Sequence, residues 1–211
     1  MITTEQFKLF DDLYSYYNKE LFYGLLNDCM ITTSRKKKTF GLFARNTWQK
    51  NKSKDSAEIH EISLNPDFLD RIDEAWQATL VHEMVHLWQQ DFGKTSRAGY
   101  HNKQWAEKMK EIGLYPSNTG EEGGKETGQS CSHYIIPGGA FIEAFKRLQE
   151  KQIKYITVAN LVEGRGKGKA AAASARSKTK YTCFCKNNVW GKPDLLIVCA
   201  VCNQRFIEET E

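Results

Sequence analysis

The sequence predicts an α+β fold: an N-terminal helix, a small twisted sheet and a largely buried second helix, with a separate cysteine-bearing module at the end. Three observations carry this reading. Apolar side chains between residues 3 and 23 recur at spacings of three and four, residues 58–64 alternate well, and four of the six cysteines fall between 183 and 202.

Phe7, Phe10, Leu13 or Tyr14, Tyr17 and Leu21 form one stripe, as on an amphipathic helix, and Gly24 is placed to end it. Strands are expected at Cys29–Thr33, Thr39–Phe43 and Glu58–Leu64; in the last, Ile59, Glu61 and Ser63 oppose His60, Ile62 and Leu64. The polar, lysine-rich stretch Trp48–Ser56 reads as a hairpin loop. Asn65-Pro66-Asp67 starts a second helix running from about Phe68 to Phe92 with Gly93 after it, and a third spans Asn102–Ile112 before Gly113. Residues 117–130 hold four glycines and no apolar side chain, which predicts a long, mobile loop. Gly138-Gly139 precedes a helical run, Ala140–Gln152. Three parts result: a domain over 1–163, a low-complexity basic linker over 164–180, and a compact module over 181–211.

Charge separates these parts. Residues 1–163 carry 21 Lys/Arg and 22 Asp/Glu, whereas residues 164–211 carry 9 and 4, so all the surplus of the +4 chain lies in its last quarter. That asymmetry suits an anionic partner, nucleic acid first, or simply a solvated basic linker. No apolar run reaches the roughly 18 residues of a membrane span. The acidic, amphipathic start lacks a signal peptide's basic and apolar regions, so a cytoplasmic setting is expected. In a reducing compartment, clustered cysteines point to metal rather than disulfides.

His82-Glu83-Met84-Val85-His86 is an HExxH motif in the middle of the second helix. Residues four apart share a helix face with Cβ atoms roughly 5–6 Å apart, close enough for two imidazoles to hold one zinc. Glu83, rotated by roughly 100°, stands beside the ion as a general base towards an activated water. Ala75, Ala78, Leu80, Val81, Val85, Leu87 and Trp88 make this helix apolar over much of its circumference. Polar groups buried there need partners, and a metal meets that need. A catalytic zinc takes three protein ligands and keeps one open position. His101 is the best third ligand, because it opens a helix after the turn at 93–99. His60, on a strand, suits packing, and His133, after the glycine-rich loop, is a weaker ligand position or a substrate contact. Tyr100 and Tyr134 have the side chain to stabilise an oxyanion.

HEMVHLWQQDFG, followed by His101 fifteen residues after His86 and by the aromatic Trp105, resembles the SprT-like metallopeptidase family. Tyr17–Leu25, Phe40-Gly41 and Glu58–Asn65 are similar as well. The resemblance covers roughly residues 5–115 and leaves 116–163 as an extension without a counterpart. Asn102 stands where the family often has glycine. The resemblance implies a zincin-like SprT domain, a zinc-dependent peptidase with ligands His82, His86 and His101, and protein substrates associated with or crosslinked to DNA.

Cys183-Phe184-Cys185 and, thirteen residues on, Cys199-Ala200-Val201-Cys202 form two pairs that can close a structural zinc tetrahedrally. So short a module cannot hold together by its core, and metal binding would supply its folding free energy. Several SprT-like proteins are similar in ending with a zinc ribbon whose first pair is tight. Arg165, Lys167, Lys169, Arg176, Lys178 and Lys180, with Trp190, Lys192 and Arg205, offer contacts to phosphates and stacked bases without sequence readout, and Arg35–Lys38 extends the surface. The rival readings are a non-catalytic zinc-bearing DNA-binding or adaptor protein and a hydrolase acting on another bond. The intact Glu83 argues against the adaptor, since a structural site has no use for that carboxylate.

Overall fold

The computed structural model describes residues 1–52, 56–150, 179–191 and 195–208. The chain divides into two compact units, Met1–Leu161 and Val162–Glu211. The expected linker, apart from Thr179 and Lys180, and residues 151–163 of the expected first domain lie outside the described residues.

The first unit opens with α1 (Ile2–Phe22), whose buried stripe includes Leu9, Phe10, Leu13, Tyr17 and Leu21. The helix closes one residue earlier than Gly24 suggests: Tyr23 already adopts a left-handed conformation, and the Gly24 N–H returns to the Asn18 carbonyl at 2.9 Å. Strands β1 (Met30–Thr33), β2 (Gly41–Gln49) and β3 (Glu58–Leu64) form a sheet in the order β1-β3-β2, with β1 parallel and β2 antiparallel to the central β3. β2 runs six residues further than expected, through Trp48 and Gln49, so the loop is shorter than a hairpin from Trp48 would make it. Its register slips between Ala44 and Trp48, where Asn46 is left-handed. His60 meets this irregularity: its Nδ1 accepts the Asn46 N–H at 3.0 Å, and its Nε2 stands 3.3 Å from Asp91 on the next helix.

A 3-10 turn at Pro66–Phe68, capped by the Asn65 side chain, replaces the first turns expected of the second helix. The helix proper, α2 (Asp73–Phe92), then packs against β2 and β3. Ala78, Leu80, Val81, Met84, Val85 and Leu87 are wholly buried, as the apolar circumference predicts. α3 (Lys103–Glu111) is capped by Asn102, whose Oδ1 accepts the Trp105 N–H at 3.0 Å. The same amide accepts from Gln89 Nε2 and donates to the Lys94 carbonyl and Ser96 Oγ. Asn102 has φ −91°, so its position makes no demand for glycine.

β4 (Leu114–Ser117) and β5 (Ser132–Ile135) pair antiparallel. The glycine-rich segment between them, expected from its composition to be a mobile loop, is tied by hydrogen bonds. Asn118 N–H donates to the Lys125 carbonyl, Lys125 N–H to Asn118 Oδ1, and Glu126 joins Lys110 and Tyr115. Polar contacts hold it without an apolar core. α4 (Ala140–Glu150) packs on α1 and α2 through Phe141, Ala144 and Leu148; residues 151–152 of the expected helix lie outside the described residues.

In the second unit, β6 (Thr179–Thr182) pairs antiparallel with both β7 (Asn188–Gly191) and β8 (Ile207–Glu208). No helix among the described residues is long and apolar enough to cross a membrane.

Candidate metal centre

α2 brings His82, Glu83 and His86 together because an α-helix places residues four apart on one face. His101 arrives from just before α3, where its backbone pairs with Gly128 in both directions, at 2.9 and 3.0 Å. One nitrogen from each of His82, His86 and His101 lies within 4.8 Å of the others. Nε2 of His86 and Nε2 of His101 stand 3.2 Å apart. Trp105 backs all three rings, with centroid distances of 4.9, 5.2 and 4.4 Å. Burial pushes each imidazole towards its neutral form: His82 falls well below its ordinary value, His86 to about 3, and His101 falls against an opposing hydrogen bond to Gly128. Neutral imidazoles present lone pairs, the form in which histidine binds metal.

Glu83 is buried beside them. Desolvation raises its carboxyl to about 8 despite a hydrogen bond from the Phe43 backbone. β2 comes so close here that a Cβ built on Gly41 would lie 2.9 Å from Glu83 Oε1. A cleft of about 480 Å³ opens over this floor. The segment leading into β2, including Lys36, Lys38 and Phe40, contributes to it, as do Gln129–His133 before and within β5.

The other histidines and tyrosines separate clearly. His60 bridges the sheet to α2 and is not in the mutually close set. His133 lines the cleft but does not join that set either; its Nδ1 lies 3.0 Å from His82 Nδ1. Burial, then the charge of Arg71, pushes His133 down to about 4. Tyr134 stacks on Tyr115 at 5.0 Å, while its neighbours on β5, Ser132 and His133, line the cleft. Tyr100 borders a neighbouring cavity shared with His86. The Phe43 backbone and the Gly128 carbonyl went unforeseen, because backbone groups leave no mark in a residue pattern.

A second candidate site lies in the other unit. One sulfur from each of Cys183, Cys185, Cys199 and Cys202 lies within 4.8 Å of the rest. Two turns present them: Cys183 N–H reaches the Asn187 carbonyl, and Cys199 N–H reaches that of Gln204, with Lys186 and Asn203 left-handed in the two turns. The first turn closes one residue sooner, which accommodates the tight first pair. Backbone N–H groups of Cys202 and Val201 lower the Cys199 thiol towards the thiolate.

Among the residues read as nucleic-acid contacts, Lys180 and Trp190 face each other across β6 and β7, with Trp190 62% exposed. Arg165, Lys167, Lys169, Arg176, Lys178 and Lys192 lie outside the described residues.

An HExxH helix packed on a small mixed sheet, with a third histidine brought to it from just before α3, defines an α+β domain with a candidate three-histidine metal site. The chain belongs to the SprT-like family, whose profile matches residues 10–122. Neither the curated proteins nor the solved structures return a match.

Proposed function

We propose that the chain is a zinc-dependent peptidase with Glu83 as general base, acting on proteins associated with or crosslinked to DNA. The observation that carries the metal reading is the separation of the two imidazole nitrogens. Donors about 2.0–2.1 Å from a tetrahedral zinc stand roughly 3.3 Å from each other, and His86 and His101 offer 3.2 Å. Three neutral histidines, with no fourth ligand in their set among the described residues, fit a catalytic ion that keeps a position open. In the cysteine cluster, the Cys183–Cys185 and Cys185–Cys199 sulfurs are 3.2 and 3.6 Å apart. Four thiolates fit a closed structural zinc.

His82, His86 and His101 would hold the catalytic ion, which when bound lowers the pKa of a water and polarises a peptide carbonyl. Glu83, held by the Phe43 backbone and confined by Gly41, is raised to about 8 by burial; beside a bound cation it would ionise, take the proton of the attacking water and return it to the leaving amine. Within the described sheet β2 pairs only with β3, so its other edge, beside the cleft, is free to align an extended peptide.

The DNA part of the reading rests on the +5 balance of residues 164–211, on Lys180 opposite the exposed Trp190, and on Lys36 and Lys38 at the cleft. A lysine beside an exposed aromatic suits phosphate contact and base stacking without sequence preference. The test is cleavage of a basic DNA-binding protein with and without single-stranded DNA. Acceleration by DNA that fades with added salt is expected. Cleavage indifferent to DNA would leave a peptidase of other substrates, and no cleavage of any protein would favour a zinc-bearing adaptor.

A further inference from the structure

His133 lies beyond the stretch matched to the family and outside the set of three converging histidines. It is nonetheless in direct contact with one of them: its Nδ1 is 3.0 Å from His82 Nδ1, with ring centroids 5.1 Å apart. Two imidazole nitrogens at this distance share one proton, because two lone pairs or two N–H groups would repel. The direction of that proton decides what His82 can do. If His133 donates, His82 carries its own proton on Nε2 and has no lone pair there. If His82 donates, its Nε2 is bare.

His101 shows how the same segment treats a neighbouring ligand. Its Nδ1 lies 3.1 Å from the Gly128 carbonyl oxygen, which can only accept. His101 therefore carries its proton on Nδ1 and turns a bare Nε2 towards His86 Nε2, 3.2 Å away. β5 sets His133 in place through its pairing with β4, where His133 sits opposite Pro116. One stretch of chain, from Gly128 to His133, thus reaches two of the three ligands from behind. Metal-bound histidines characteristically donate their second ring N–H to such a partner, which fixes tautomer and orientation.

We propose that His133 is a positioning residue for His82: its Nδ1 accepts the His82 Nδ1–H and so leaves His82 Nε2 as the ligating atom. The inference rests on reading the three histidines as a zinc centre. It assigns a role to the extension after residue 122, which completes the surroundings of the ion.

The test uses the full chain, labelled with 15N-histidine and loaded with zinc, observed by long-range proton–nitrogen correlation. His82 is expected to show a protonated Nδ1, a metal-shifted Nε2 and a coupling across the hydrogen bond to His133 Nδ1. In competition with a chelating dye, His133→Leu should lose about 10–100-fold in zinc affinity at the histidine site, and His133→Gln, whose carbonyl can accept the same N–H, should stay within about threefold. Affinity at the cysteine site should not change in either variant. A proton on His82 Nε2, a metal shift on His133 itself, or wild-type affinity in His133→Leu would each overturn the proposal. Failure of the wild-type histidines to take up zinc would instead overturn the peptidase reading on which it rests.

Discussion

Gly41 lies so near Glu83 that no side chain fits between them: a single methyl group on Gly41 would come within 2.9 Å of Glu83 Oε1 and of Thr79 Cγ2, and within 3.0 Å of Glu83 Cγ. The glycine is there so that β2 can lie against the carboxylate and offer it the Phe43 backbone. Gly41→Ala should therefore displace Glu83. A shift near 1 Å at a reacting group costs on the order of 100-fold in rate, whereas overpacking costs about 1–3 kcal/mol of stability. Peptidase assays on folded, zinc-replete Gly41→Ala should show the loss in kcat, and unchanged kcat would contradict the role given to the contact.

Asn102 stands where the resemblance to the family suggests glycine, and here it binds four partners: Trp105 N–H, Gln89, the Lys94 carbonyl and Ser96. Replacing an N-cap by glycine costs only a few tenths of a kcal/mol. The remaining bonds contribute about 0.5–1.5 kcal/mol each. Asn102→Gly is expected to lower unfolding free energy by about 1.5–4.5 kcal/mol in denaturant titration. A loss of only a few tenths would reduce Asn102 to a helix cap.

Glu61 ties three strands together, accepting from Thr32 and Ser63 at 2.6 Å and from Trp48 Nε1 at 2.7 Å. Burial raises its pKa, but the hydrogen bonds from Ser63, Thr32, Trp48 and Thr47 outweigh burial and hold it below its ordinary 4.5. A carboxylate depressed in the folded state stabilises fully above its unfolded value, and that contribution disappears as pH falls through the folded one. Glu61→Gln should thus be less stable than wild type at neutral pH, with the gap narrowing in acid below 4.5. Urea titrations of both proteins at matched pH and zinc level measure it; a gap that widens in acid would reverse the sign.

Among the described residues of the second unit the buried apolar side chains are Tyr181, Cys183 and Cys199, so its order should depend on the ion. Zinc removal, or Cys199→Ser, is expected to erase amide protection in β6 and β7 while α2 stays protected. Persistent protection in metal-free β6 would show that the strands hold without metal.

How much of this was legible in the residues follows from what kind of signal each feature leaves. HExxH on an apolar helix and two close cysteine pairs are local patterns whose chemistry dictates spacing, and the structure brings together both sets of side chains. The end of β2 was not legible, because Arg45–Gln49 is an exposed edge with no alternating burial. The segment 117–130 has no apolar side chain to signal order; its contacts are hydrogen bonds such as Lys110–Glu126 and Tyr115–Glu126. His133 was seen as a ligand or a substrate contact. Its link to His82 spans 51 residues and depends on the β4–β5 register, which no periodicity announces.

In the proposed reaction Glu83 moves the proton while the histidines hold the ion. The direct measurement compares zinc content and cleavage of an unstructured protein substrate for wild type and Glu83→Gln. Equal zinc in both proteins and a rate lower by about 10²–10⁴-fold in the variant are expected. Equal rates at equal zinc content would contradict it.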